Sequence, residues 1–350
     1  MADHAPRNLE PDAPLRAIVD YVCHRRIDSP VALRAARICM VDALACAFLA
    51  LDNHDCARLI GPLVPGAVLP GGARVPGTRY ELDPATAAFN IGCLVRWLDM
   101  NDTFTGAAAI HPSDSLAGIL AVADYLSRQP GARRITLGEV LVALVKAYEI
   151  QGGIASLNEG FGNAGHIDHV TLTKVAEAAV IAQLLGGDET IVLNALSNAW
   201  LEPLLRLYRH SHQAGSRKNW AAADASAQAV RLAYIAVKGE MGYPQVLSSK
   251  KHGFCDAMLG GRALQLREPL GSFVIENAML KAVPSAMYGQ SGAECAFLFH
   301  PQLKGRWDEV ERITVHVHAG VKRIMDREGP LRNPADRDHC MQYVIAVSLI

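Results

Sequence analysis

For about the first 245 residues this chain shows almost nothing but helical period, and that restricts its fold more than any other feature. Apolar residues recur three and four apart over Leu15–Arg25, Val31–Leu51, Pro84–Leu98, Ser115–Arg128, Leu137–Ile150, Thr171–Leu185, Glu189–Trp200 and Ala221–Lys238. The start and stop signals agree with that reading. Ser29-Pro30 and Asp83-Pro84 each pair a capping side chain with a proline suited to a first turn, and Gly186-Gly187 and Gly239 sit where C-terminal caps belong. Between the second and third runs, Pro62, Pro65, Pro70, Gly71, Gly72, Pro76 and Gly77 lie too close together for helix or central strand, so a loop is expected. No β alternation competes, and a large all-helical domain is predicted for residues 1–264.

The character changes near Leu264. Val310–His318 (VERITVHVH) alternates, with Ile313, Val315 and Val317 opposed to Arg312, Thr314, His316 and His318, and predicts a strand. His316 and His318 then read as exposed alternates on that strand rather than as metal ligands. A smaller α+β domain is therefore expected to begin over 265–332. Asn333-Pro334 opens a helix predicted for 333–350, whose apolar residues Met341, Val344, Ile345 and Leu349 run to the end. That helix ends without a cap and with an uncovered apolar face, which reads as a domain cut short. The fold class expected is mainly α, with a smaller α+β domain incomplete at the C-terminus.

Charge and cysteine usage exclude several classes of function. Thirty-four basic against 35 acidic residues leave a formal charge of −1, with no basic excess for nucleic acid. No apolar run reaches membrane length, since Ile38–Leu51 is interrupted by Asp42. The polar, proline-rich start lacks the apolar core of a signal peptide, so the cytoplasm is the default location. The eight cysteines (23, 39, 46, 56, 93, 255, 295 and 340) form no CxxC pair, and Cys39, Cys46 and Cys93 fall in apolar runs as small buried hydrophobes. Nothing there resembles thiolates arranged for a cluster or a structural zinc.

The chemistry concentrates in Arg96 to Asp114, RWLDMNDTFTGAAAIHPSD. The apolar period stops at Asp99, and Arg96, Asp99, Asp102, Thr103, His111 and Asp114 fall within nineteen residues between two buried helices. Pro112 pushes His111 out of the helical region, and Ser113 or Asp114 is the expected cap of the next helix. Gly160-Phe161-Gly162-Asn163-Ala164-Gly165 spells GxGxxG but follows a helix end, so a loop delivering His166, Asp168 and His169 is the better reading than a nucleotide site. His166 and His169 have zinc-compatible spacing without a third ligand. Ser216-Arg217-Lys218 puts two cations at a helix start, an anion cradle, and Lys281 lies in an apolar run where an amine needs an anionic partner. Lys250, Lys251 and His252 read as a surface charge run. Acid/base groups and several cations without a metal set suit proton abstraction beside a carboxylate in a polyanionic substrate.

Several of these stretches resemble the MmgE/PrpD family, and within it the 2-methylcitrate dehydratases: FNIGCLVRWLDMNDT (89–103), HPSDSLAGILAVADYLSR (111–128), GHIDHVTLTKVAEAAVIAQLLG (165–186), SRKNWAAADASAQAVRLA (216–233), GSFVIEN (271–277) and NPADRDHCMQYVIAVSLI (333–350). The resemblance covers nearly the whole chain. It implies a large helical domain with a smaller α+β domain, a homodimer, and dehydration of 2-methylcitrate to 2-methyl-cis-aconitate in propionate breakdown, with no cofactor and no metal. It maps the pocket to Asp99, Thr103, His111, His169, Lys218 and Lys281, with Asp102 adjacent. His111 and His169 would be general base and acid, in either order, Asp99 and Asp102 would orient an imidazole or bind the hydroxyl, Thr103 joins them in the catalytic set, and Lys218, Lys281 and Arg217 would hold carboxylates. The chain departs from those dehydratases at Ala107-Ala108-Ala109-Ile110, which stands where they carry an acidic and an aromatic residue before a glycine. It departs again at Val283, which replaces an aromatic, and at Tyr288, which replaces a histidine. These departures leave open a related enzyme of the same fold, like the cis-aconitate decarboxylases or iminodisuccinate epimerases, or a truncated, inactive paralogue.

Overall fold

The structure, a computed structural model, describes residues 9–131, 133–162, 165–209 and 214–350. Ten helices of nine residues or more occur among the described residues: α1 (Ala13–His24), α2 (Pro30–Ala50), α3 (Pro84–Arg96), α4 (Leu116–Arg128), α5 (Leu137–Ala155), α6 (Val170–Leu184), α7 (Glu189–Ala199), α8 (Arg217–Val237), α9 (Gln290–Leu303) and α10 (Met341–Leu349). The caps expected from sequence form. Ser29 Oγ accepts from the Ala32 amide and Asp83 from those of Ala85 and Thr86, while Thr136 and Glu139 close a capping box on α5. Gly186 (φ +89°) and Gly239 (φ +97°) end α6 and α8 in the left-handed conformation that glycine adopts without penalty.

The large core is helix on helix. Every residue of α6 from Val170 to Ala182 is buried, polar ones included, because α5, α7 and α8 pack around it. α8 lies between α6 and α3, and α3 in turn packs on α4 and α2. The α3–α8 approach is closest at Gly92, where a Cβ would stand 2.7 Å from Ala223 Cα. Small residues at that crossing bring the start of α8, and with it Lys218, next to the end of α3.

A second, separate apolar cluster joins α9 and α10 through Ala293, Ala296, Met341, Val344, Ile345 and Leu349, with Met325 and Ala286. The expected strand at 310–318 does not form a ladder. Residues 311–318 have no regular secondary structure and no β partner among the described residues, and Ile313, Val315 and Val317 are exposed. Alternation supplies a face but not the neighbouring strand that a ladder requires. The strands present are two-residue antiparallel pairs, Ala73–Arg74 with Glu81–Leu82 and Phe104–Thr105 with Ala109–Ile110. The helix expected over 333–350 is broken into Pro334–Arg337, capped by Asn333, and α10, with Asp338, His339 and Cys340 in the break.

Candidate active site

After α3 ends at Arg96, the chain turns sharply at Asp99, whose φ of +51° is left-handed, a conformation aspartate tolerates better than most residues. Arg96 Nη1 donates to Asp99 Oδ1. Lys218 Nζ, from the first turn of α8, stands 3.5 Å from Asp99 Oδ2, and Lys281 Nζ stands 3.5 Å from Oδ1. Lys281 Nζ also donates to the Asp99 backbone oxygen at 2.5 Å. The antiparallel bridge between Thr103 and Met279 brings the Lys281 segment to this place. Burial alone would raise the Asp99 pKa, but Arg96, Lys218 and Lys281 together outweigh it and hold the carboxyl well below the usual range. Burial pulls the Lys281 amine down, with Asp99 opposing.

Two imidazoles border this cluster. His111 Nδ1 lies 2.7 Å from the Asp102 carbonyl oxygen and 3.2 Å from Thr103 Oγ1. A carbonyl only accepts, so Nδ1 carries the hydrogen and Nε2, 3.8 Å from Asp99 Oδ1, is the open nitrogen. The His169 ring at the start of α6 lies 5.6 Å from that of His111, centroid to centroid. Its Nδ1 is 3.5 Å from Asp168 Oδ1, and its buried Nε2 has no hydrogen-bond partner among the described residues. Asp168 is clamped by Arg209 Nε and Nη2. Burial would raise the Asp168 carboxyl, yet Arg209 and His169 hold it well below its ordinary range. Burial lowers both histidines well below the ordinary imidazole range, reinforced by Arg96 and Lys281 at His111 and by Arg209 at His169. Both rings are therefore neutral near pH 7 in the free protein and able to accept a proton.

Asp102 takes a different position from Asp99. Its carboxylate accepts from the Ser113 amide at 3.1 Å and from Tyr148 Oη at 2.6 Å, so it fixes the Pro112–Ser115 turn while its own carbonyl orients His111. Burial raises its pKa, against the hydrogen bonds from Ser113 and Tyr148. Asp114 and Ser113 do not cap α4 as expected. Asn101 Nδ2 donates to both, at 2.9 Å each, and Asp114 Oδ2 lies 3.7 Å from Arg96 Nε, with burial raising the Asp114 pKa to about 6. Arg217 stands apart from the cluster around Asp99. Its guanidinium pairs with Asp224 at 3.0 Å and lies over the Trp220 ring at 4.3 Å.

Two charged residues that the sequence reading passed over join the cluster. Lys218 Nζ donates to Asp338 Oδ2 at 2.7 Å, Asp338 Oδ1 is 2.6 Å from His339 Nδ1, and His339 Nδ1 is 3.8 Å from Asp99 Oδ2. The signal available was the run Asp336-Arg337-Asp338-His339, polar residues consecutive where a helix with one apolar face would alternate them. Asp99, Asp338 and His339 present ligand atoms within 4.8 Å of one another, but the Lys218 ammonium already bridges the two carboxylates, which puts a cation where a metal would have to sit. In the GxGxxG lettering, Gly160 and Phe161 lie in a short turn after α5 rather than after a strand, and Asn163 and Ala164 lie outside the described residues. Lys250, Lys251 and His252 are exposed, as expected. Of the departures, Ala109-Ile110 pair with Phe104-Thr105 beside Thr103 and His111, while Val283 and Tyr288 pack on the second apolar cluster.

Comparison with known proteins gives this arrangement a family. Residues 16–267 match the MmgE/PrpD N-terminal domain and residues 283–350 the MmgE/PrpD C-terminal domain. The chain is 49% identical to a 2-methylcitrate dehydratase of Cupriavidus necator over 97% of its own length and 72% of the relative's. It is 46% identical to one of Salmonella typhimurium, covering 98% and 73%. It is 42% identical to a mitochondrial 2-methylcitrate dehydratase of Yarrowia lipolytica, covering 100% and 68%. Matched by both domains along nearly its entire length, the chain belongs to the MmgE/PrpD family.

Proposed function

We propose that this protein is a hydro-lyase that dehydrates 2-methylcitrate to 2-methyl-cis-aconitate by general acid/base elimination. The observation that carries the reading is the convergence of Arg96, Lys218 and Lys281 on Asp99 with two neutral imidazoles alongside, in a chain 42–49% identical to 2-methylcitrate dehydratases. Removing a proton beside a carboxylate puts charge onto that carboxylate, and fixed cations in a buried site stabilise the charge as it develops.

His111 is the better placed base. Its Nδ1 hydrogen is committed to the Asp102 carbonyl, so a proton taken at Nε2 creates an imidazolium facing Asp99. The C–O bond then breaks as the new double bond forms, and His169 protonates the departing hydroxyl so that water leaves. A tricarboxylate carries up to three negative charges into the site. That charge raises the His169 pKa, so that His169 takes up from solvent the proton it then donates. Thr103, on the Nδ1 side of His111, and Asp102 keep the ring oriented. Lys218 and Lys281 are assigned to substrate carboxylates, and the pairing of Arg217 with Asp224 favours a place for Arg217 outside that set.

The test is a direct one. The purified chain is mixed with 2-methylcitrate, with chelator present, and the ultraviolet absorbance of the new conjugated double bond is followed. Turnover that persists in chelator and is lost in Lys218→Ala supports the reading. A folded chain silent on 2-methylcitrate but active on cis-aconitate or iminodisuccinate moves it to the sister chemistries. The two separate apolar cores support a large helical domain and a smaller one, with Leu270, Val274 and Ile275 in the first core, which favours a division after Ile275 over one at 265. The exposed Ile38, Val41 and Leu49 of α2 support a homodimer, which light scattering would test.

A further inference from the structure

We propose that His339 is a third imidazole that contacts the substrate, with Asp338 as its positioning residue. The inference rests on the reading of this site as a tricarboxylate site. The two residues sit in the break between the Pro334–Arg337 turn and α10, and their backbone is tied on both sides. The Ala286 amide and Ser285 Oγ donate to the Asp338 carbonyl at 2.9 and 3.1 Å, and Arg327 Nε donates to the His339 carbonyl at 3.1 Å. A loop held this way presents its side chains in one arrangement.

The side chains complete the argument. Asp338 divides its oxygens between Lys218 (2.7 Å) and His339 Nδ1 (2.6 Å). Its carboxylate is ionised, because Lys218 and His339 outweigh the burial that would raise its pKa. It can therefore only accept, and His339 Nδ1 carries the hydrogen. Nε2 is then the nitrogen left for a ligand, and it bonds to none of the described residues. This is the arrangement in which a carboxylate behind an imidazole fixes its tautomer and stabilises its charged form.

Among the side chains whose charged atoms lie within 4 Å of the Asp99 carboxylate, His339 is the most open. It is 22% exposed, against 13% for His111 and 4% or less for Arg96, Lys218 and Lys281. The lysines and the arginine already have anionic partners, so a carboxylate that approaches them must share. At His339 Nε2 an incoming hydroxyl donates to the neutral ring, and an incoming carboxylate is held once Nε2 takes up a proton, in either case without breaking an existing pair.

The experiment compares His339→Ala, His339→Gln and His339→Asn in the full chain. The readouts are binding of tricarballylate by calorimetry, since that tricarboxylate has no hydroxyl to eliminate, together with KM and kcat on 2-methylcitrate. A glutamine amide reaches about as far as Nε2 and an asparagine amide about as far as Nδ1. Alanine should weaken tricarballylate about 10- to 100-fold and raise KM in step, with glutamine recovering much of the loss and asparagine little. Recovery by asparagine and not glutamine would mean that His339 serves only to hold Asp338, and would overturn the proposal. Unchanged affinity in the alanine variant, beside a wild-type chain that binds and turns over, overturns it while leaving the hydro-lyase reading intact. A wild-type chain that neither binds tricarballylate nor dehydrates 2-methylcitrate removes the reading and this proposal with it. Asp338→Asn should raise KM in the wild-type background and add little to His339→Ala. Equal effects in both backgrounds would count against Asp338 as a positioning residue.

Discussion

Lys281 Nζ donates to the backbone oxygen of Asp99 at 2.5 Å, joining residues 182 positions apart at the left-handed residue where the chain turns after α3. The ammonium thus holds a costly backbone conformation and supplies one of the charges on the same residue's carboxylate. Lys281→Met keeps the stem but leaves a buried carbonyl unsatisfied and Asp99 short of a cation. Stability should fall by about 1–3 kcal/mol, read from urea unfolding, and turnover should fall further than that loss explains.

His111→Asn should lower kcat about 10²- to 10⁴-fold while leaving the fold intact, because an asparagine amide can still donate to the Asp102 carbonyl that Nδ1 now meets. Near-normal turnover in this variant would remove His111 from the chemistry.

Stability should decline as pH falls below about 6.5, the ordinary histidine value. His111, His169 and His339 all have pKa values lowered by burial, so below that pH the unfolded chain binds protons that the folded one refuses. Asp99 works in the same direction at lower pH. Its carboxyl is held well below the usual range, so its contribution is complete above about pH 4 and is lost as pH falls through the folded value. Urea midpoints at pH 7.5, 6.5 and 5.5 should decrease in that order, and His111→Gln combined with His169→Gln should flatten the series.

Tricarboxylate binding should take up protons. Both inner imidazoles are neutral in the free protein, and an incoming polyanion favours their charged forms. At pH 6.5 the calorimetric enthalpy of tricarballylate binding should vary with the ionisation enthalpy of the buffer. A buffer-independent enthalpy would mean that neither ring changes charge.

Gly92→Ala tests the packing that carries Lys218 to Asp99. The added methyl would stand 2.7 Å from Ala223 Cα and 2.9 Å from its Cβ, backbone against backbone, so α3 and α8 must separate. A loss of about 1–3 kcal/mol is expected, with turnover reduced as well because the cations move away from the carboxylate.

Much of this protein was legible in one dimension because its signals are local. Apolar period, Ser29, Asp83 and Gly239 specify helices through contacts within a few residues, and those helices form where expected. The candidate residues Asp99, Thr103, His111, His169, Lys218 and Lys281 could be named as residue types out of place in apolar surroundings. Their meeting could not, since it depends on α8 packing between α3 and α6 and on the bridge between Thr103 and Met279.

Three outcomes belonged to the tertiary structure alone. The alternating stretch 310–318 has no strand beside it, and period cannot supply a partner. Arg217 and Lys218 are neighbours in sequence, yet about 100° of helical rotation between adjacent positions sends one to Asp224 and the other to Asp99 and Asp338. Asp338 and His339 look like the polar face of a continuous helix until the break before α10 turns them onto Lys218. Sequence by itself determined which segments are helical and which residues carry chemistry, because both follow from side-chain type and near neighbours. Only the packed structure decided which charges share a carboxylate and which nitrogen of each histidine stays open, because those depend on long-range distances that no local pattern encodes.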